Sequence, residues 1–175
     1  MLHKPRRVVV SRDDELSRKT VYDILPSWVH DDGWIPVGRL DRDSRGLLLF
    51  VRDGKLMDAL SRPGAHMKVY EVWVRGRVED ASVLTRGVDT ALGELRARDV
   101  RVMGIAGPKT KLEVALDEGK NRQIRRLFGA MKDPVKGTPL KVLELKRTQF
   151  GPINLDVASG AWRFLTPEEC AALGA

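Results

Sequence analysis

The sequence is poor in the residue types that build disulfides and metal sites. Its 175 residues include one cysteine, Cys170, and only three histidines, which are scattered along the chain. A single cysteine cannot form an internal disulfide, and the histidines lack the spacing of zinc ligands. The chain also lacks a phosphate-binding loop of the form G-x-x-x-x-G-K-[ST] and a G-x-G-x-x-G motif. We therefore expect no cofactor and no metal, so that any chemistry depends on ordinary side chains.

Long hydrophobic runs are also missing. No stretch approaches the roughly 20 apolar residues that are needed to cross a bilayer. The basic N-terminus is followed by only three valines, Val8 to Val10, which is too short for the core of a signal peptide. Apolar residues make up 42% of the chain and charged residues 31%. These values predict a soluble, cytoplasmic protein with no membrane partner, folded as one domain over residues 1–175.

Positive charge is in excess and is unevenly distributed. The formal net charge is +7, and residues 117–149 contain nine basic residues against four acidic ones. Such a segment is typical of a surface that binds nucleic acid, although a solvated face would have the same composition. The nine basic residues are Lys120, Arg122, Arg125, Arg126, Lys132, Lys136, Lys141, Lys146 and Arg147.

Strand and helix patterns alternate irregularly along the chain, which predicts an α+β fold rather than a doubly wound one. Alternating or continuous apolar patterns predict strands at residues 7–10, 34–37, 47–51, 68–78, 110–116, 140–145 and 162–165. Helical spacing and capping residues predict helices at residues 18–25, 55–60 and 79–86, after Asn121, and after Thr166 with Pro167 at its first position.

The segment Gly38-Arg39-Leu40-Asp41 places one carboxylate in a short loop between two apolar segments. Glycines on both sides of the loop, Gly38 and Gly46, would let a ligand approach the backbone closely. Aspartate is also common in ordinary turns. On the residues alone, Asp41 is therefore either a turn former or a catalytic carboxylate.

The predicted helix after Asn121 has one apolar and one basic stripe. The basic stripe contains Arg122, Arg125 and Arg126, and helical geometry places Arg125 at its border with the apolar stripe. A border arginine can meet a carboxylate, or it can contact phosphate or solvent. The apolar stripe consists of Ile124, Leu127, Phe128 and Met131.

Four short motifs, taken in order, resemble those of the bacterial ribosomal-RNA pseudouridine synthases. They are Lys4-Pro5, the segment from Gly38 to Asp41, Lys68-Val69-Tyr70, and the segment from Glu118 to Arg126. The similarity continues through Leu145-Lys146-Arg147, Gly151-Pro152-Ile153 and the segment from Arg163 to Thr166. It is greatest to the branch that modifies single uridines in ribosomal RNA, and within that branch to large-subunit members without an N-terminal RNA-binding module.

This resemblance implies a mixed, mainly antiparallel sheet flanked by helices, with a central cleft for RNA. It also implies isomerisation of uridine to pseudouridine without a cofactor, in ribosomal RNA or an assembling ribosomal subunit, by a protein expected to be a monomer. By the resemblance, the catalytic residues are Asp41, Tyr70, which stacks on the target base, and Arg125, which pairs with the aspartate. Ile124, Arg39 and Leu40 are assigned to the substrate pocket, and Lys120, Arg122, Arg126, Lys146 and Arg147 to phosphate binding.

The chain departs from the family pattern at several positions. Ser44 replaces the more usual threonine, and Arg45 stands where an acidic residue is common. Two other functions stay open. A catalytically silent RNA-binding or ribosome-assembly protein would keep the cleft, and a glycosidase-like reaction would use Asp43 as a second carboxylate.

Overall fold

The computed structural model describes residues 1–174, and the chain divides into two compact units. The first unit combines residues 1–67 with the chain from Lys146 onward, and the second contains residues 68–145. In the part of the chain that the structure describes, no helix is both long and apolar enough to cross a membrane.

The strands are β1 (Leu2–Lys4), β2 (Ile35–Pro36), β3 (Arg45–Leu48), β4 (Phe50–Val51), β5 (Lys68–Arg75), β6 (Val88–Thr90), β7 (Gly93–Leu95), β8 (Asp99–Ala106), β9 (Lys109–Leu116), β10 (Lys141–Phe150) and β11 (Ile153–Asn154). The helices are α1 (Ser27–Asp31), α2 (Gly54–Ser61), α3 (Val83–Arg86), α4 (Gln123–Ala130) and α5 (Pro167–Leu173), with one 3₁₀ turn at Tyr22–Ile24.

In the first unit, β3 is the central strand. It pairs antiparallel with β1, so that Lys4 lies opposite Gly46, and parallel with β10, so that Gly46 also lies opposite Arg147. β10 in turn pairs antiparallel with β11, and β2 forms a separate antiparallel pair with β4. The parallel pairing of β3 with β10 contrasts with the antiparallel pairing of these other strands.

The continuous apolar run after Gly46 is explained by burial on both faces of β3. Leu47 and Leu49 belong to one hydrophobic cluster with Phe150, whereas Leu48 belongs to another with Tyr22. Neighbouring residues of a strand point to opposite faces, so a strand between two cores needs apolar residues at every position. The prediction of a buried strand here is confirmed, although the structure divides it into β3 and β4.

In the second unit, β9 pairs antiparallel with both β5 and β8. Tyr70, Val72 and Val74 are buried along β5, and residues between them are half-buried. Leu112, Val114 and Leu116 are buried in the same alternation along β9. The predicted period-two patterns of both strands, and the α+β fold with a mainly antiparallel sheet, are confirmed.

Helix α4 begins one residue later than its sequence suggests. Ile124, Leu127 and Phe128 are buried, as the apolar stripe predicts. The predicted Asn121 cap is wrong, because the cap position is Arg122, whose side chain makes no capping hydrogen bond. Arg122 has a left-handed backbone with φ 48°, a conformation that costs a non-glycine residue about 1–2 kcal/mol.

Three other predicted elements are wrong. Residues 7–10 form no strand apart from a single bridge between Val9 and Thr20. Residues 18–25 contain only the 3₁₀ turn, because the Asp23 carboxylate accepts from the backbone and hydroxyl of Thr20 and closes a tight loop. Residues 162–165 contribute one bridge, between Trp162 and Leu2.

The predicted helices at residues 55–60 and after Thr166 are confirmed. The Asp53 side chain caps α2 by accepting from the backbone N–H groups of Lys55 and Leu56. Thr166 and Glu169 form a reciprocal capping box at the start of α5, with Pro167 at the first position. Strand β8 was not predicted, because only Val100 and Val102 are half-buried and its other six residues are exposed.

Candidate active site

The Asp41 loop is a tight turn in the first unit. The backbone N–H of Ser44 donates to the carbonyl oxygen of Asp41 at 3.0 Å, and Arg7 N–H donates to the carbonyl of Arg42 at 2.7 Å. Asp41 is half-buried, Leu40 is buried and Arg39 is exposed. The loop therefore has a fixed backbone, with a partly accessible carboxylate residue following a buried leucine.

A buried ammonium group holds this loop from β1. The Lys4 side chain is fully buried, and its Nζ donates to the carbonyl oxygens of Ser44 at 2.8 Å and Pro5 at 3.0 Å. The Arg42 carbonyl oxygen lies at 3.5 Å from the same Nζ. Burial lowers the pKa of Lys4 from 10.5 to about 8, while the carboxylates of Asp41 and Asp43 act in the opposite direction. Lys4 therefore stays mainly protonated at pH 7 and supplies positive charge beside the loop.

The end of the loop packs directly against β10. A Cβ atom on Gly46, whose φ is +118°, would lie 2.2 Å from the carbonyl oxygen of Arg147. The Arg147 guanidinium is itself buried, with Nε donating to the Leu47 carbonyl at 2.7 Å and its carbon 5.6 Å from the centre of the Phe150 ring. The structure therefore places Arg147 inside the first unit rather than at a surface for phosphate, which corrects the sequence assignment for this residue.

Tyr70 and Ile124 are both buried in the second unit, with exposed fractions of 7% and 3%. Tyr70 lies on β5 opposite Val114 of β9. Ile124 is the second residue of α4. Their burial agrees equally with a pocket lining and with an ordinary core position.

Arg125 is half-buried on α4 and is positioned by the strand that follows. Its Nη1 donates to the carbonyl oxygen of Val142 at 3.2 Å. A guanidinium has five donors in a fixed plane, so a bond to the backbone orients the whole group. The structure thus confirms that Arg125 lies at the border of the helix rather than on its solvent face.

The other basic residues assigned to RNA differ in their surroundings. Arg126 donates to the Thr90 hydroxyl at 2.8 Å, which connects α4 to β6. The ammonium of Lys120 lies 3.2 Å from the Glu118 carboxylate and is about half exposed. Arg122 is exposed and Lys146 is half-buried. Lys120 and Arg122 are the most accessible of this set.

The predicted site residues are divided between the two units. Asp41, Arg39 and Leu40 belong to the first unit, and Tyr70, Ile124 and Arg125 belong to the second. The pairing of Asp41 with Arg125 stays a prediction. Among residues 1–174, no group of three or more histidine, cysteine or acidic side chains is arranged to hold a metal ion.

Sequence reasoning missed two residues that organise these loops. The first is Lys4, whose only signal was the Lys-Pro motif. The second is Gln123, which lies inside the motif from Glu118 to Arg126 but was given no role. Both are polar side chains at positions that turn out to be buried, and burial of a polar residue is not visible in composition or periodicity.

The family of RNA pseudouridylate synthases matches residues 1–130 of this chain. This range contains the Asp41 loop, the strand with Tyr70 and the helix with Arg125. The chain belongs to the RNA pseudouridylate synthase family.

Individual relatives agree with this membership. The chain is 38% identical over 165 residues to the ribosomal large subunit pseudouridine synthase B of Vibrio cholerae, covering 91% of this chain and 49% of the relative. It is 36% identical over 165 residues to the protein of the same name from Escherichia coli, covering 91% and 54%. The chain thus spans about half the length of these curated relatives. A crystal structure of a pseudouridylate synthase matches 98% of this chain and 71% of its own chain, with 26% identity and a TM-score of 0.81.

Proposed function

We propose that this chain isomerises a specific uridine of ribosomal RNA to pseudouridine, with large-subunit RNA as the favoured substrate. The observation that carries the proposal is the Asp41 loop. It has the sequence of the catalytic loop that the resemblance implies, lies within the range that the family matches, and is held by a buried ammonium group. The names of the relatives support ribosomal RNA as the substrate class.

The reaction requires a carboxylate that reaches the sugar of an everted nucleotide. The C1′–N1 bond of uridine is broken and its electron pair stays on N1, the uracil turns, and a new bond joins C1′ to C5. C5 then loses its proton and N1 gains one, so that the product is an isomer of the substrate. A stacked base cannot present this bond, and flipping it out costs a few kcal/mol. Asp41 acts in one of two ways: it attacks C1′, or it removes the proton at C2′ to give a glycal. Both routes need the ionised carboxylate.

Tyr70 and Arg125 complete the proposed chemistry. The Tyr70 ring stacks on the uracil while the base turns, with Ile124 lining the same pocket. The Arg125 guanidinium keeps the Asp41 carboxylate charged and directed, because a guanidinium stays protonated and binds carboxylate through two parallel hydrogen bonds. Arg39 supports the loop or meets a phosphate, and Leu40 supports it from the core.

The RNA backbone is bound through basic side chains at the surface. Lys120, Arg122, Arg126 and Lys146 remain the proposed phosphate ligands, and Arg147 is left out because it is buried. Binding that depends on such contacts weakens steeply as salt concentration rises. We further propose that the chain acts in the cytoplasm as a monomeric single catalytic domain without a cofactor. Size-exclusion chromatography with light scattering would test whether it is a monomer.

The decisive experiment combines a deletion with an Asp41→Asn substitution. Pseudouridines are mapped in total RNA from cells with and without the gene, and the lost site identifies the substrate. We expect the parent protein to restore that site and Asp41→Asn to leave no detectable product, with RNA affinity within about threefold of the parent because only the charge of one carboxylate is removed.

Asp43→Asn is the matched control. Asp43 is a second carboxylate in the same loop, two residues from Asp41, and it is exposed. Its substitution therefore removes the same charge but leaves the proposed catalytic carboxylate in place. We expect parental turnover from this variant. Full turnover by Asp41→Asn would contradict the proposal, whereas loss of turnover in Asp43→Asn would favour a mechanism with two carboxylates. If deletion of the gene leaves the pseudouridine pattern of total RNA unchanged, the result would favour a catalytically silent RNA-binding protein.

A further inference from the structure

Gln123 connects three segments of the second unit through a buried side chain. Its exposed fraction is 3%. Its Nε2 donates to the Glu118 carboxylate at 2.6 Å and to the carbonyl oxygen of Arg96 at 3.2 Å, and its Oε1 accepts from the backbone N–H of Lys120 at 3.2 Å. One amide group thus joins the end of β7, the loop that follows β9, and the first residue of α4.

This amide fixes the loop that precedes α4. The cap residue of α4, Arg122, has a left-handed backbone and makes no capping hydrogen bond through its side chain. A non-glycine residue keeps such a conformation only where the surrounding structure determines it. The surroundings include the hydrogen bond of the Gln123 N–H to the Lys120 carbonyl at 3.1 Å as well as the three side-chain bonds. The loop from Glu118 to Arg122 is therefore closed on Gln123.

We propose that Gln123 is a positioning residue, which fixes the start of α4 and thereby places Ile124 and Arg125 for the reaction. This inference rests on the proposed function. Ile124 and Arg125 follow Gln123 directly, so a shift of the first turn moves both side chains together. The bond from Arg125 to the Val142 carbonyl at 3.2 Å is made from the first turn of the same helix.

Both halves of the amide are required. The NH₂ group serves two acceptors, Glu118 and Arg96, and the carbonyl serves one donor, the N–H of Lys120. Methionine at position 123 keeps the length of the side chain but supplies no donor. Glutamate would place two carboxylates at the distance of the present 2.6 Å hydrogen bond, where like charges repel. A glutamine at position 118 would supply a donor to such a glutamate and restore the pair.

The test uses Gln123→Met, Gln123→Glu and the double variant Glu118→Gln with Gln123→Glu. Single-turnover formation of pseudouridine is measured beside RNA affinity and thermal unfolding. We expect the rate to fall about 100-fold in both single variants, as displacement of a catalytic group by about 1 Å produces, with RNA affinity within about threefold. The double variant is expected to react at least about tenfold faster than Gln123→Glu alone. Gln149→Met is the control, because it removes a comparable bond, from Nε2 to the Gly151 carbonyl at 2.8 Å.

Hydrogen exchange gives a readout that does not depend on catalysis. The backbone amides of residues 118–126 are expected to exchange faster in Gln123→Met than in the parent, and to exchange normally in Gln149→Met. Unchanged exchange, or a parental rate in Gln123→Met, would overturn the positioning role. RNA affinity that falls in step with the rate would overturn it as well, since Gln123 would then act on binding. If the parent makes no pseudouridine but Gln123→Met still exchanges faster, the structural role of Gln123 is supported and only the proposed function is contradicted.

Discussion

Replacing Lys4 by methionine separates the architecture of the Asp41 loop from its chemistry. Methionine fills similar space but lacks the ammonium that donates to the Ser44 and Pro5 carbonyls at 2.8 and 3.0 Å. Each buried acceptor that loses its partner costs about 1–3 kcal/mol. In the other direction, a pKa lowered from 10.5 to about 8 means that burial of the charged amine costs roughly 3 kcal/mol at neutral pH. The terms largely cancel, and we expect a net loss of stability of roughly 1–2 kcal/mol.

The same pKa gives the variant a distinct pH dependence. The pKa of Lys4 is about 8 in the folded chain and 10.5 without burial, so between these values the unfolded chain binds more protons. Stability rises with pH wherever the unfolded state binds more protons. The parent is therefore stabilised as the pH increases from 8 to 10.5, and Lys4→Met lacks this contribution. Urea unfolding followed by tryptophan fluorescence at pH 7, 8, 9 and 10 measures the difference between the two proteins.

Activity should respond far more than stability. Without Lys4, the Asp41 loop loses both a tether and a nearby positive charge, and we expect a fall in the single-turnover rate of at least about tenfold, which corresponds to 1.4 kcal/mol in the transition state. Arg42→Met is the control, because Arg42 is an exposed cation of the same loop whose side chain has no assigned role. Parallel pH profiles for parent and Lys4→Met, or a parental rate in the variant, would refute the reasoning.

Two further predictions concern the same unit. Gly46→Ala should prevent stable folding or destabilise the protein by more than about 3 kcal/mol, because its Cβ would overlap the Arg147 backbone at 2.2 Å. Gly38→Ala should cost only about 1 kcal/mol in chemical denaturation, because Gly38 has φ +70° but no atom within 4 Å of a Cβ. Equal losses in the two variants would contradict the packing argument. The pKa of His3 is lowered by burial and by the charges of Lys146 and Arg45. The protein should therefore lose stability as the pH falls below the ordinary histidine pKa of 6.5, since the unfolded chain then binds more protons. Urea titrations at pH 5, 6 and 7 should show a smaller loss of stability at acid pH in His3→Gln, and an unchanged loss would contradict the assignment.

The elements that could be predicted from the sequence are those whose pattern depends on local geometry. Strands β5 and β9 alternate because each has one buried face, and the apolar stripe of α4 follows helical spacing because the helix packs on one side. The capping box at Thr166 is likewise local. Strand β1 was missed because its three residues depend on pairing with β3 rather than on their own pattern, and residues 7–10, which looked more strand-like, lack such a partner strand within the part of the chain that the structure describes.

The candidate site was predicted unevenly for the same reason. Its chemical residues could be named from motifs, but the residues that support them could not. The basic segment illustrates the difference, because its charge was counted without regard to burial or partners. Arg147 is buried against Leu47, Arg126 bonds to Thr90, and Lys120 lies beside Glu118. A cation that already satisfies a protein acceptor must lose or share that contact before it can serve a phosphate. Counting residue types therefore overstates the positive charge available to RNA, and part of that charge serves instead to hold α4 and the strands around the Asp41 loop in place.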